Sequence, residues 1–501
     1  MKYFDKLLRR PVTTTRIKAL SSEPTGVTRF IGFFAMSDQL TIIPLRIGGK
    51  ETASAPSIRF PVYCNAQQKD VYLAESADAT TAKLAADAAQ EAFTTWKKVP
   101  AVDRRELLQN YARSLRANTE RLIAVQQEET SAPDLWCRKN IELAVGLVEE
   151  TAACITSLNG SIPQTSSSLV LSLAFTVPIG PVLVIAPWNS PIILGARNIA
   201  TAVAAGCTVV FKVSENCPQL HHLLVHLFED AGLPKGIINV IQASREMASE
   251  VTEAVIAHQA IRKVEFVGSA SVGRAIGQLC AKYLKPIFME LGGKGPAIVL
   301  EDADLTAAAK RCVLGERIIV AEKVASEFRK LLLAEVESFP VTDGVSPRIV
   351  EASRQKLLDA EKKGATFLYG GTDKLSPSKL RPTILEGVTK DMDIYYEEAF
   401  GPSVALFVAR DDDHAIEIAN DSPYGLNAAI HTLDFNRAWQ MTQALDFGQI
   451  HVNNMTPHDE PTFPIGGVKG SGWGRNNALW GLREFSETKL MTWSVEGQKF
   501  V

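Results

Sequence analysis

The feature that most constrains the fold lies between Pro181 and Leu300, where short unbroken apolar runs alternate with amphipathic helical segments. The runs are Val182 to Ala186, Thr208 to Phe211, Ile237 to Ile241, Val264 to Val267, Ile287 to Met289 and Ala297 to Leu300. Short runs that are apolar at every position are typical of strands buried on both faces. The alternation therefore predicts a parallel sheet wound as βαβ units, a doubly wound nucleotide-binding α/β fold.

Length and composition narrow the class of protein. A chain of 501 residues is too long for one core, so we expect two or three domains with a cleft between them. The net charge of -3 gives no electrostatic reason to expect nucleic acid or an anionic membrane as partner, and no apolar run reaches the roughly 18 residues that span a bilayer. The seven scattered cysteines include no C-x-x-C pair, which argues against a disulfide framework or a zinc site and favours the cytoplasm.

The first 35 residues form a separate segment that is basic and rich in Ser and Thr. This composition is compatible with a transit segment, which would direct the protein to the mitochondrion. The alternative, which we favour, is an extension upstream of the natural start, since Met36 opens a polar stretch that leads into the folded part.

Polar residues follow the first predicted strands at their carboxyl ends, where ligands of α/β sheets bind. Asn189, after Trp188, carries an amide N–H that can stabilise a developing oxyanion; the alternative is a helix cap. Lys212 can donate to ribose hydroxyls, whereas Glu215 can accept from them and would repel a 2′-phosphate. The alternative for this second pair is a surface ion pair.

Two further strand ends carry groups suited to a cofactor and to proton transfer. The segment Gly268-Ser269-Ala270-Ser271-Val272-Gly273 opens a helix with small residues, which expose backbone N–H groups to a pyrophosphate; the alternative is an ordinary tight turn. Glu290 ends an apolar strand before Leu291 and two glycines, so burial should raise its pKa and make it a proton acceptor. The alternative is a structural Glu that caps the glycine turn.

Together these segments resemble the aldehyde dehydrogenase superfamily in order and spacing, and the resemblance extends from about Leu40 to Trp493. The motifs that carry it are Pro187-Trp188-Asn189, Lys212-Val213-Ser214-Glu215, Gly268 to Gly273, Glu290-Leu291-Gly292-Gly293-Lys294, Glu398-Ala399-Phe400-Gly401-Pro402 and Pro464 to Arg475. The stretch Asn453 to Pro461 is similar to the branch acting on benzaldehyde, vanillin and salicylaldehyde, so an aromatic aldehyde is the implied substrate.

The resemblance implies an α/β fold with three parts. A Rossmann-like parallel-sheet cofactor domain would comprise residues 36–163 and 180–291, and an α/β catalytic domain residues 292–479. A small oligomerisation arm would comprise residues 164–179 and 480–501. The family's dimer surface also implies a homodimer or homotetramer.

The resemblance assigns roles as well. Asn189 would be the oxyanion donor and Glu290 the base that activates water, while Lys212 and Glu215 would hold the adenosine ribose. Gly268 to Gly273 would lie beside the pyrophosphate, and Glu398 and Phe400 would hold the nicotinamide ribose and ring. Trp188 and Leu291, within the same motifs, are also expected to contact the cofactor. NAD is the expected cofactor because of Glu215, with NADP as the alternative.

The resemblance fails at the nucleophile. Family members carry their catalytic cysteine in a loop after the helix that here ends near Cys312, but Gly315 is followed directly by Glu316-Arg317-Ile318-Ile319-Val320, which matches the strand after that loop. The catalytic domain is therefore expected to be shortened near 315–316. Cys312 matches a buried helix position, so we expect a structural thiol there. The alternative function is then a catalytically inactive, NAD-binding homologue.

Overall fold

Two open α/β sheets form the body of the protein. The structure, a computed structural model, describes residues 40–494, and the N-terminal segment lies outside them. The first elements in the chain are β1 (Thr41–Ile43), β2 (Leu45–Ile47), β3 (Lys50–Thr52), β4 (Ile58–Cys64), β5 (Lys69–Ser76), α1 (Ala79–Trp96), α2 (Ala101–Ala117), α3 (Thr119–Thr130) and α4 (Asp134–Cys154). The helices α1 to α4 flank the sheet whose central strands follow.

The first sheet has eight strands, and its parallel centre confirms the predicted doubly wound fold. Its central elements alternate as β7 (Pro181–Ile185), α5 (Pro191–Ala205), β8 (Thr208–Lys212), α6 (Pro218–Asp230), β9 (Ile238–Ile241), α7 (Ala248–Ala257), β10 (Lys263–Gly268), α8 (Ala270–Lys282) and β11 (Ile287–Leu291). The strand β6 (Val170–Pro178) precedes them in the chain and lies outside this sheet. In space the parallel strands run in the order β11-β10-β7-β8-β9, and β2 pairs with β9 antiparallel.

Alternate residues of these strands are buried on opposite faces. Val182 and Val184 pack with α4, α5 and α6, whereas Leu183 and Ile185 pack with α1, α7 and α8. Since both faces are covered, every position in the strand must be apolar, which explains the unbroken runs.

The second sheet has seven strands and follows the first in the chain. Its part of the chain contains β12 (Pro296–Val299), α9 (Leu305–Cys312), β13 (Arg317–Ala321), α10 (Ala325–Glu337), α11 (Pro347–Lys362), β14 (Thr366–Tyr369), β15 (Lys374–Ser376), β16 (Lys379–Leu380), β17 (Thr383–Glu386), α12 (Asp393–Tyr396), β18 (Ser403–Ala409), α13 (Asp412–Asn420), β19 (Tyr424–Gly425), β20 (Asn427–His431), α14 (Phe435–Ala444) and β21 (Gln449–Val452). The spatial order is β14-β17-β18-β13-β12-β20-β21, parallel except for β14.

One sequence prediction is wrong here. The apolar pattern predicts that the run Ala297 to Leu300 belongs to the first sheet, but β12 pairs with β13 and β20 of the second. The chain leaves the first sheet at Leu291, and the glycine-rich turn up to Gly295 carries it across to the second sheet. The predicted boundary at 291/292 falls in this crossing, and the domain boundaries themselves stay predictions.

The chain ends, within the described residues, in two short strands, a helix and an arm. These elements are β22 (Val468–Lys469), β23 (Gly472–Trp473), α15 (Ala478–Glu484) and β24 (Ser486–Ser494). β24 pairs antiparallel with β6 over its whole length, so the predicted arm is a two-stranded ribbon formed by two distant parts of the chain. Leu490 and Trp493 on β24 are 60% and 67% exposed. Among residues 40–494, helices with the length and apolarity of a membrane span are absent.

Candidate active site

The predicted site residues follow strands that are neighbours in the first sheet. β7 pairs with β8 and β10, and β10 pairs with β11, so that Ile185 lies opposite Lys212 and Gly268 lies opposite Leu291. Because all these strands are parallel, their carboxyl ends lie along one edge. The sheet therefore brings the four predicted segments to the same edge, as the sequence indicated.

Asn189 faces a cavity of about 310 Å³ that Trp188 and Phe400 also line. The Trp188 and Phe400 rings meet edge to face, with their centroids 5.5 Å apart. Helix α5 begins at Pro191 after Ser190, and no side chain caps it, so the helix-cap alternative for Asn189 is wrong. The Asn189 Oδ1 atom, an acceptor, is buried without a hydrogen-bond partner among the described residues.

Phe400 is held by a carboxylate that the sequence did not single out. Its backbone has φ 46°, the left-handed region that non-glycine residues rarely adopt. Glu316 accepts from the backbone N–H groups of Ala399 and Phe400 at 2.9 and 2.8 Å, and Lys294 donates to the same carboxylate at 2.9 Å. Glu316 therefore fixes the turn that presents Phe400 to the cavity.

Glu398 lies beside the glycine turn that follows β11. Its Oε1 accepts from the Gly293 N–H at 3.1 Å. Burial, reinforced by the charge of Glu316, raises the pKa of Glu398 to about 7. A Cβ at Gly292 would lie 2.0 Å from the Glu398 Oε2, so a larger residue there would displace this carboxylate.

Glu290 forms an ion pair that the sequence reasoning missed. Its Oε2 accepts from the Arg197 Nη2 at 2.6 Å, and the Arg197 Nη1 lies 3.8 Å from Asp459. Arg197 is 1% exposed; burial acts to lower its pKa, but Glu290, Asp459 and Glu265 outweigh it and raise the pKa. The backbone N–H of Gly293, in the glycine turn, donates to Glu398 and not to Glu290. The structure therefore does not support the alternative in which Glu290 caps this turn.

Arg197 belongs to a larger buried polar cluster behind Glu290. Asn476 donates to the Glu265 Oε1 at 2.7 Å and contacts Asn198, while Asn477 donates to Asp459 at 2.8 Å. Burial raises the pKa of Glu265 to about 8 and that of Asp459 to about 6. No sequence signal pointed to this cluster, because its members come from four separate segments.

Lys212 and Glu215 do not form an ion pair within 4 Å in the part of the chain that the structure describes. The alternative that these two residues form a surface ion pair is therefore wrong. Burial lowers the pKa of Lys212, against the opposing charge of Glu215. Glu215 lines a second, larger cavity of about 730 Å³. A carboxylate thus faces open space where the sequence predicts a ribose.

The segment Gly268 to Gly273 forms the start of α8, as predicted. Ser269 accepts from the Val272 N–H, and the Val272 side chain is exposed. A Cβ at Gly273 would lie 2.6 Å from the Leu291 Cδ2, so this glycine lets α8 pack against β11. Leu291 is buried in that contact and lines neither of the two cavities.

The cysteines lie away from both cavities. All seven are free thiols, and none lines either cavity. Helix α9 ends at Cys312 and β13 begins at Arg317, so a tight turn joins them. Cys312 packs among Ala308, Val320 and other core residues, and burial raises its pKa to about 12. It is the buried thiol that the sequence predicts.

The two cavities adjoin. Val345 lines both, and we call the two together the groove, with Trp188 and Phe400 in the first cavity and Glu215 in the second. The Ser353 hydroxyl, which lines the first cavity, is a second buried oxygen without a hydrogen-bond partner among residues 40–494. Buried polar atoms of this kind are normally satisfied by a ligand or by water.

Comparison with known proteins identifies relatives that match most of this chain. The model of the aldehyde dehydrogenase family matches residues 52–491. The chain is 37% identical to a vanillin dehydrogenase of Pseudomonas fluorescens over 90% of this chain and 97% of that protein. It is 38% identical to a salicylaldehyde dehydrogenase of Pseudomonas putida over 83% and 91% of the two chains.

A solved structure shows the same fold. The salicylaldehyde dehydrogenase of Pseudomonas putida G7, crystallised with salicylaldehyde, superposes with a TM-score of 0.89 at 34% identity, covering 92% of this chain and 99% of that one. Since the family's model spans most of the described residues and both sheets are shared, this chain belongs to the aldehyde dehydrogenase family.

Proposed function

We propose that this groove binds NAD(P) and an aromatic aldehyde, and that its residues serve the oxidation of the aldehyde to the carboxylic acid. The observation that carries the proposal is that Trp188 and Glu215, which line the two adjoining cavities, follow the neighbouring parallel strands β7 and β8. The aromatic class rests on the vanillin and salicylaldehyde relatives and on Trp136, Trp188 and Phe400 in the first cavity.

The cofactor would lie along the groove. Lys212 and Glu215 would hold the adenosine ribose, with Glu215 favouring NAD, and the backbone N–H groups at the start of α8 would face the pyrophosphate. Glu398 and Phe400 would hold the nicotinamide end. When bound, NAD(P) supplies the acceptor for the hydride that leaves the aldehyde carbon.

The residues around the aldehyde act on its oxygen and on water. The Asn189 side-chain N–H donates to the oxygen as negative charge develops there. Glu290 takes a proton from the water that releases the acid, and Arg197 orients its carboxylate by binding one oxygen. Asn189 follows β7 and Glu290 lies near the end of β11, and both strands pair with β10.

The oxidation in this family also needs a thiolate to form the acyl intermediate. We propose that the loop carrying it is missing from this sequence, because the turn between α9 and β13 is short and no cysteine lines either cavity. Without the thiolate the groove would still bind cofactor and aldehyde, as a non-catalytic homologue would.

Two measurements separate binding from turnover. Equilibrium binding of NAD and of vanillin or salicylaldehyde tests the groove. NADH absorbance with the same aldehydes tests the reaction. We expect binding without NADH from the chain as given, and NADH after insertion of a Gln-x-Cys loop between Gly315 and Glu316. NADH formation by the unaltered chain would overturn the missing-nucleophile proposal. If the Cys312→Ser variant then formed NADH at the same rate, Cys312 would be excluded as the nucleophile. Absence of cofactor binding would overturn the proposed function.

A further inference from the structure

We infer that Glu316 and Lys294 are positioning residues for the nicotinamide end of the cofactor. Their ion pair holds Glu398 and Phe400 in the arrangement that binds this end, and it acts through these two residues rather than on the cofactor itself. This role rests on the proposed function, because it concerns one end of the same groove.

The pair joins two segments that belong to different sheets. One segment is the glycine turn after β11, which contains Gly293 and Lys294, and the other is the loop before β18, which contains Glu398 and Phe400. Glu316 binds both segments at once, since Lys294 donates to its carboxylate at 2.9 Å and two backbone N–H groups of the loop donate at 2.9 and 2.8 Å. Glu398 adds a second tie from the loop to the turn, because it accepts from the Gly293 N–H at 3.1 Å.

Both members of the pair are themselves held in place. Glu316 directly follows the tight turn between α9 and β13, and its backbone carbonyl accepts from the Ala405 N–H of β18 at 3.0 Å. Lys294 is 1% exposed, so little water can reach its ammonium and replace the carboxylate. Removing one member of such a pair leaves the other as a buried charge without a counter-charge.

The loop needs this support to keep its shape. Phe400 has φ 46°, and a non-glycine residue keeps such a backbone only where its surroundings hold it. Its ring is 45% exposed and lines the first cavity beside Trp188, so it is presented to a ligand rather than packed in a core. Without Glu316 the two loop N–H groups lose their acceptor, and we expect Phe400 to leave this position.

The pair also controls the charge of Glu398. Burial lowers the pKa of Lys294, and the charges of Glu316 and Glu398 both oppose this, so that one cation serves two carboxylates. Burial, and then the charge of Glu316, raise the pKa of Glu398 to about 7, whereas a backbone N–H and Lys294 act in the opposite direction. The two members of the pair therefore shift the pKa of Glu398 in opposite directions.

Tyr424 is a further titratable group beside Glu398. Its hydroxyl hydrogen-bonds with the Glu398 backbone, with Arg274 and Glu397 nearby, and burial raises its pKa, so it stays neutral near pH 7. The titration of Glu398 is then the one that the pair governs. An ionised carboxylate can accept from both hydroxyls of a ribose, so we expect NAD to bind more weakly as the pH falls through about 7.

Calorimetry with the intact chain tests the inference. NAD and ADP are titrated into wild type, Glu316→Gln, Lys294→Gln and the control Glu106→Gln, since Glu106 is exposed on α2 and lines neither cavity. ADP lacks the nicotinamide end, so its binding reports whether the rest of the groove is intact. We expect Glu316→Gln to weaken NAD binding by about tenfold, because charge-assisted hydrogen bonds are lost, while ADP binding changes less than about twofold.

The pH profile of NAD binding separates positioning from a merely structural role. Glu316→Gln removes a negative charge beside Glu398, so the pH at which NAD binding weakens should fall. Lys294→Gln removes the opposing positive charge, so this pH should rise. Glu106→Gln should leave it unchanged. A general loss of structure would not move this pH in opposite directions in the two variants.

Three results would overturn the inference. The first is unchanged NAD binding by Glu316→Gln, and the second is an equal loss of NAD and ADP binding in that variant. The third is a pH profile that neither Glu316→Gln nor Lys294→Gln shifts. If wild type binds neither NAD nor ADP, the proposed function itself fails, so the two failures are distinguishable.

Discussion

The buried ion pair between Arg197 and Glu290 gives the sharpest prediction for stability. Arg197 lies 2.6 Å from Glu290 and 3.8 Å from Asp459, and the side chains of these two carboxylates are only 12% and 13% exposed. Arg197→Met removes the counter-charge of both and leaves two buried carboxylates without a cation. Breaking a buried pair in this way costs about 3–5 kcal/mol of the free energy of unfolding.

The assay is urea unfolding at pH 7, followed by tryptophan fluorescence. The control variant is Arg138→Met, because Arg138 pairs with Glu120 and Asp134 on the surface, where such pairs contribute at most about 1 kcal/mol. Adding Asp459→Asn to Arg197→Met should restore part of the loss, since one unpaired carboxylate is removed. A loss below about 1 kcal/mol for Arg197→Met would contradict this prediction, because it would mean that neither carboxylate needs the cation.

Three further predictions concern a close contact, a buried acid and the arm. Gly292→Ala places a Cβ 2.0 Å from the Glu398 carboxylate, so we expect this variant to bind NAD more weakly than a Gly364→Ala control. The Cβ added at Gly364 meets no atom within 4 Å, although the positive φ of this residue carries some strain. Equal NAD binding by the two variants would contradict this prediction. Burial raises the pKa of Glu265 from its usual 4.5 to about 8, so the stability that its protonated form provides is lost as pH rises from about 4.5 through 8. Glu265→Gln should therefore flatten the fall in melting temperature over that pH range. An unchanged slope of melting temperature against pH would contradict this prediction. We also propose that the β6–β24 arm joins copies of the chain, so Leu490→Glu should lower the mass measured by light scattering, whereas the same mass as wild type would exclude the arm.

The sequence predicted the first sheet well because its strands are buried on both faces. An apolar run such as Val182 to Ala186 has the length of a strand and no polar face, and β7 occupies almost the same residues. The run Ala297 to Leu300 has the same local character, but its partners are β13 and β20. Local pattern identifies a strand, whereas its sheet is decided by partners distant in the chain.

The site shows the same division between local and distant information. The positions of Asn189 and Gly268 followed from where strands end, which is a local property. The partners of Glu290 and Phe400 did not, because Arg197 and Glu316 are brought to them by folding. Leu291 was expected at the cofactor, but its side chain is buried against Gly273, and its contact with cofactor stays a prediction.

The proposed function depends on strand ends of the first sheet that meet at one groove and bind a dinucleotide there. Titration of NAD into the folded chain, followed by isothermal calorimetry, tests it most directly. We expect saturable binding of one NAD per chain, which Lys212→Met and Glu215→Ala should both weaken. If neither NAD nor NADP produced binding heat with protein shown to be folded by circular dichroism, the proposed cofactor groove would be contradicted.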